Sequence, residues 1–192
     1  MNTFTFQRVH RNKKAKPNYD IYRFTNDFND KVIVEVFFYD YNIYAVKFFL
    51  KRHSISRDKY SMAYSKEDKT DKSGKEHLGN MNCLKVLNTI LKIIREISKN
   101  DSIASFGIMG APKISEMDAK KNKKNINSDG TVANTKRYKV YHLYIRRYFS
   151  PEQFEYIDSK TSSILLLRNR KNDKFDKRKA ELYIVNNIIP NL

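Results

Sequence analysis

Glu35 is the one acidic residue in KVIVEVFFY, residues 31–39. A carboxylate set among β-branched and aromatic side chains is suited to taking a proton, since burial disfavours its charged form and raises its pKa. The same strand alternates its faces, so Glu35 in solvent is the competing reading. A second set of candidates lies in NTKRYKVYHLYIRRYF, residues 134–149. Tyr138, Tyr141, Tyr144 and Tyr148 recur there at three- and four-residue steps, a helical spacing that puts four phenols on one face. Such a row can pack on a sheet with its hydroxyls at the rim. Arg137, Lys139, Arg146 and Arg147 form a basic flank on the same helix, which would suit phosphate oxygens. Gly107 and Gly110 end an apolar run, SIASFGIMG. Without a Cβ they let a ligand approach, or they let the next helix pack closely.

Other chemistries find no support. His10, His53, His77 and His142 are scattered, and Cys83 is the single cysteine, so neither a metal site nor an internal disulfide is expected. No serine-centred elbow, Walker loop or dinucleotide fingerprint occurs.

These residues need elements to hold them. At 192 residues the chain fits one domain, residues 1–192, which would bury roughly 70% of its extended surface. Residues 3–10 and 19–24 read as short strands, and 31–39 with the run from Ile43 reads as a hairpin turning at Asp40-Tyr41-Asn42. Residues 59–64 form a further strand candidate. Leu84, Leu87, Ile90, Leu91, Ile94 and Ile97 predict an amphipathic helix over 82–99. Residues 101–110 read as a buried strand and 112–133 as a mobile basic loop. A helix follows over 134–149, with Asn134 available as its N-cap. Ser150-Pro151-Glu152-Gln153 has the pattern of a capping box with proline at the first helical position, so a short helix is expected there. Residues 162–168 read as a late strand, and 169–192 as a basic C-terminal extension. The fold class is α/β (α+β), with a mixed, mostly antiparallel sheet flanked by helices.

That order of elements, together with Leu143-Tyr144-Ile145-Arg146-Arg147-Tyr148-Phe149, resembles the GNAT-type N-acetyltransferases, in which a Leu-Tyr-basic-Gly-Phe pattern ends the helix after the fifth strand. Tyr148 replaces the usual glycine. The tract FG-x-x-GA followed by NTKR-x-x-VY is also similar to uncharacterised bacterial and phage-type proteins. The resemblance implies acyl transfer from acetyl-coenzyme A to an amine. It makes Tyr144 the acid that protonates the departing thiolate, Glu35 the base that deprotonates the amine, and Asn134 a partner for a pantetheine amide. Gly107 and Gly110 would border the coenzyme. The family's pyrophosphate turn corresponds to residues 76–81, Glu76-His77-Leu78-Gly79-Asn80-Met81, where it keeps one glycine.

Charge offers an alternative. Lysine and arginine total 38 against 21 acids, a formal net charge of +17, which attracts coenzyme phosphates, nucleic acid or an acidic protein. Residues 11–16, 120–124 and 168–179 form three further basic clusters. Were they to converge with Arg137, Lys139, Arg146 and Arg147, the chain would be a non-catalytic binding module for nucleic acid or a protein partner. Abundant lysine, asparagine, isoleucine and tyrosine also follow from AT-rich coding alone. The lone cysteine, the lack of a signal-like apolar core near the N-terminus and the lack of a long apolar run place the expected compartment in the cytoplasm, with no membrane contact.

Overall fold

The computed structural model describes residues 2–56, 59–60, 75–128, 131–174, 176–183 and 186–187. One mixed seven-stranded sheet organises them, in the order β1-β2-β3-β4-β5-β7-β6. The strands are β1 (Phe6–Asn12), β2 (Asn18–Thr25), β3 (Lys31–Tyr39), β4 (Ile43–Leu50), β5 (Ser105–Met109), β6 (Phe154–Ser159) and β7 (Ile164–Asn169). Helix α1 (Lys75–Asn100) joins β4 to β5, and α3 (Lys136–Tyr148) follows β5 after a short α2 (Ala119–Asn122). A last helix, α4, spans Lys177–Tyr183. The single parallel pair is β4 with β5; every other pair is antiparallel.

The burial pattern follows the sheet's two faces. On β3, Val32, Val34 and Val36 are fully buried against α1 and α3, whereas Ile33, Glu35 and Phe37 point the other way and are half-buried. Strand β7 is covered on both sides: Leu165 and Leu167 join the large core, while Ile164 and Leu166 join a smaller one with Ile43, Ala45 and Ile157. That is why ILLL reads as a continuous apolar run and not as an alternation. Helix α1 contributes Val86, Ile90, Ile93, Ile94 and Ile97. Edge strand β1 is fastened to β2 by Asp20, which is 1% exposed and receives Nε and NH2 of Arg11, each at 2.9 Å. No described helix is long and apolar enough to cross a membrane.

Several sequence expectations need correction. Residues 150–153 form a turn leading into β6, not a helix: the Ser150 carbonyl accepts from the N–H groups of Gln153 and Phe154 at 3.1 and 2.9 Å. Pairing of 154–159 with β7 buries Phe154 and Ile157, which outweighs the local capping signal. Phe149 and Phe154 do meet, edge to face at 5.3 Å, but across a helix-to-strand turn. Helix α3 is capped by Thr135, whose side chain accepts from Tyr138 N–H, and not by Asn134, which sits at φ 52°. The stretch 112–133 contains α2, two single-turn 3-10 segments and a bridge between Ile126 and Val132. Within the C-terminal extension, Asn172 is fully buried and Tyr183 stacks edge-on against Tyr39 and Tyr41. Most of the strand expected over 59–64 lies outside the described residues.

Candidate functional site

β4 and β5 run together for only three residue pairs, Ile43–Ser105, Tyr44–Phe106 and Ala45–Gly107. Beyond that point β4 stays paired with β3 as far as Leu50, and β5 stays with β7 as far as Met109. The two strands therefore part, and a cleft opens inside the sheet. Ala45, Lys47, Gly107, Met109 and Tyr60 line it on one side; Phe48, Ile108, Arg137 and Tyr141 line it on the helical side. Its cavity volume is about 40 Å³, room for a few waters. An occupant must be narrow and extended, or must part the strands further.

Gly107 and Gly110 have different uses. A Cβ on Gly107 would meet nothing within 4 Å, so this glycine faces the open cleft. A Cβ on Gly110 would stand 2.3 Å from the Tyr138 nitrogen, so this glycine lets the first turn of α3 press against the end of β5.

That contact is locked by a polar knot. The Thr135 hydroxyl donates to the Gly110 carbonyl at 2.6 Å and accepts from Tyr138 N–H at 3.1 Å. The Thr135 N–H donates to Ser163 Oγ at 2.9 Å, and that hydroxyl donates to the Val132 carbonyl at 2.7 Å. Gly110 N–H in turn donates to the Ser163 carbonyl at 2.9 Å. The knot ties the mouth of the cleft to the β6–β7 turn. Thr135→Val, which keeps the shape but loses the hydroxyl, is expected to cost about 2 kcal/mol in urea denaturation, a lost cap plus an unpaired buried carbonyl. A loss below about 0.5 kcal/mol would show that the knot does not hold α3.

Tyr141 and Tyr144 share a small apolar cavity between α1 and α3, and of the two Tyr141 also lines the cleft. Tyr141 lines the cleft; it packs against Phe48 at 5.5 Å and has no hydrogen-bond partner among the described residues. Burial pushes its phenol well above the ordinary value, with the charge of Arg137 opposing. Tyr144 lies further along α3, in the shared cavity with Leu87, Leu91 and Ile94 of α1, and its hydroxyl donates to Asn88 Oδ1. Burial raises its pKa as well, and the neighbouring Tyr148 adds to the shift. Tyr138 is buried in the core with its hydroxyl 3.4 Å from Asp158.

Glu35 is on the face of the sheet away from the helices. It stands opposite Lys47 in the β3–β4 register, and its carboxylate is 3.8 Å from Lys59 Nζ. The structure thus brings Glu35 near the cleft through Lys47, and leaves both Tyr141 and Tyr144 on the helical side of the sheet. Asn134 is exposed, donates its backbone N–H to the Lys160 carbonyl at 2.7 Å, and does not line the cleft.

Of the basic flank, Lys139, Arg146 and Arg147 are exposed. Arg137 is not: it is 9% exposed, and NH1 donates to the carbonyls of Ala111 and Pro112 at 2.9 and 3.0 Å. Its membership of a phosphate-facing flank is corrected accordingly. Residues 76–81 lie inside α1, so the turn expected there for a pyrophosphate is helix instead. Residues 61–74, which precede α1, are outside the described residues.

A larger cavity, about 550 Å³, lies between β1, β2 and the C-terminal half of α1. Arg11 of the first basic cluster lines it and is paired with Asp20 at 2.9 Å, while Asp101 accepts from Asn42 and Tyr44, each at 2.6 Å. Among the described residues, no three His, Cys, Asp or Glu side chains are grouped to hold a metal ion. Compared with known proteins, the chain matches no family model, no curated protein and no solved structure.

Lys47 and Tyr60 line the cleft without having been singled out, and Arg137, singled out as a surface cation, lines it as a wall residue. Tyr141 stood in the tyrosine row, but nothing in the row's spacing distinguishes it from Tyr144. The signal that separates them is the parting of β4 and β5, a long-range pairing that no local pattern encodes.

Proposed function

We propose that the chain is a divergent GNAT-like acyltransferase, whose β4/β5 cleft takes the acyl-thioester arm of acetyl-coenzyme A and passes the acyl group to an amine. The observation that carries this reading is the cleft itself, with Gly107 opening onto it. Past Ala45 and Gly107, β4 and β5 exchange no ladder bonds among the described residues, and buried backbone groups need partners. An extended ligand with amides of its own, such as a pantetheine arm, supplies them much as an added strand would. The element order, with one helix between the two parting strands and a tyrosine-bearing helix after the second, supports the same reading.

Within it, the geometry favours Tyr141 over Tyr144 as the donor to a departing thiolate. Tyr141 lines the cleft, so its phenol is the one placed to reach a thioester seated there. Tyr144 has its hydroxyl committed to Asn88. Glu35 would receive the proton of the incoming amine on the opposite face. Release of free thiol from acetyl-coenzyme A, followed with a panel of small and peptide amines, tests the proposal. Thiol release that depends on an added amine supports it, and none with any amine or with water opposes it.

The alternative is a non-catalytic basic binding module, favoured by the exposure of Lys139, Arg146 and Arg147 on one helix. With Arg137 withdrawn into the fold, three phosphate contacts to duplex DNA predict a log–log salt slope near about −2.7. A flat response rejects this reading.

A further inference from the structure

We propose that Lys47 is a self-acylation site: its side-chain amine accepts the acyl group of a thioester seated in the β4/β5 cleft. The inference rests on the acyl-transfer reading for its natural donor. Lys47 is the one lysine that lines the cleft among the described residues. It follows Ala45 and Val46, just past the last β4–β5 pair, where the strands have begun to part. It lies on the face away from the helices, where an acceptor amine would meet a thioester threaded between the strands.

The surroundings suit a nucleophilic amine. The Nζ stands 4.6 Å from the centre of the Phe37 ring on β3, a contact that positions the group and by itself favours its charged form. Glu35 lies opposite it in register, and Lys59 approaches Glu35 at 3.8 Å. Burial lowers the pKa of Lys47, Glu35 opposes that change, and the positive charge of Lys59 adds to it. A lysine in such a site spends more time as the neutral amine than an exposed one does, which is how buried lysines become nucleophiles.

The step balances without an added oxidant or reductant. The neutral Nζ attacks the thioester carbonyl carbon, a C–N bond forms and the C–S bond breaks, and the sulfur leaves with the electron pair. The proton lost from nitrogen passes to Glu35 and then to solvent, while the thiolate takes a proton from Tyr141 or water. The product is a stable amide on Lys47, which removes its positive charge from beside Glu35.

The test follows acetylation of the whole chain over time by peptide mapping, with acetyl-coenzyme A in one arm and the small thioester S-acetyl-N-acetylcysteamine in the other. Lys47 is expected to be acetylated about tenfold faster than the average exposed lysine, and to lose that lead in urea-unfolded protein. Lys47→Arg should abolish the early label while circular dichroism stays unchanged. Labelling of Lys47 no faster than exposed lysines by both donors overturns the proposal. A lead with the small thioester but none with acetyl-coenzyme A upholds self-acylation and counts against the coenzyme. Saturable coenzyme binding by calorimetry without any lead at Lys47 does the reverse.

Discussion

Tyr141→Phe is expected to lower turnover in amine-dependent thiol release by about a hundredfold or more, the usual contribution of a positioned proton donor, with little change in KM for acetyl-coenzyme A. The substitution removes one oxygen from the cleft wall and leaves the ring against Phe48. Because the hydroxyl has no hydrogen-bond partner among the described residues, the folded state should lose almost nothing. Tyr144→Phe should behave in the opposite way. It breaks the bond to Asn88 that ties α3 to α1, at a cost of about 1 kcal/mol, and should change turnover by less than about threefold. The two variants thus separate chemistry from stability. A hundredfold loss in Tyr144→Phe with full turnover in Tyr141→Phe would return the donor's role to Tyr144.

Gly110→Ala is expected to destabilise the fold by about 3 kcal/mol or more, read from the urea midpoint. The new methyl would stand 2.3 Å from the Tyr138 nitrogen and 2.5 Å from its Cα and Cβ. Two of those three atoms are backbone, so no rotamer change relieves the clash, and the first turn of α3 must move away from β5. Moving it strains the Thr135 bonds to Gly110 and Ser163 at the same time. Gly107→Ala, three residues earlier and inside β5, has open space at its Cβ. It should fall within about 1 kcal/mol of the parent, on either side, since alanine also restricts the unfolded chain. Equal costs at the two glycines would contradict the placement of α3.

The contrast between those glycines marks what the residues disclose locally and what they do not. The valines of β3 and the isoleucines of α1 announce their elements because each keeps one face apolar, and the turn at Asp40-Tyr41-Asn42 lies where the hairpin reading puts it. Helix α3 is legible too, and so is β7. Yet Gly107 and Gly110 look alike in the sequence, because their difference lies in where α3 and β4 sit and not in their own neighbours. Ser150-Pro151-Glu152-Gln153 misleads for a related reason: its capping pattern is local, while the pairing of β6 with β7 that overrides it is not. Thr135 escapes notice behind Asn134, the better-ranked cap by residue type. Only the left-handed backbone at Asn134 and the bonds made by Thr135 reveal which residue closes the helix.

The site is legible in pieces. Glu35 and the tyrosine row can be picked out by type and period, but their separation by the sheet cannot. Lys47 has no distinguishing neighbour in KFFL; its interest comes from the parting of two strands whose residues lie some sixty positions apart in the chain. Arg137 reads as one more cation on a basic helix, and its use as a clamp on the carbonyls of Ala111 and Pro112 is a tertiary fact.

The most direct test of the cleft as the acyl-donor site is calorimetric titration of acetyl-coenzyme A, with ATP as the polyphosphate control, into the parent chain and Gly107→Val. Valine suits a strand and places its methyls in the open cleft. The account predicts saturable binding of the coenzyme but not of ATP by the parent, and at least about tenfold weaker binding by the variant, or about 1.4 kcal/mol, at an unchanged melting temperature. Equal coenzyme affinity in the two proteins, or equal binding of ATP and coenzyme by the parent, would contradict it.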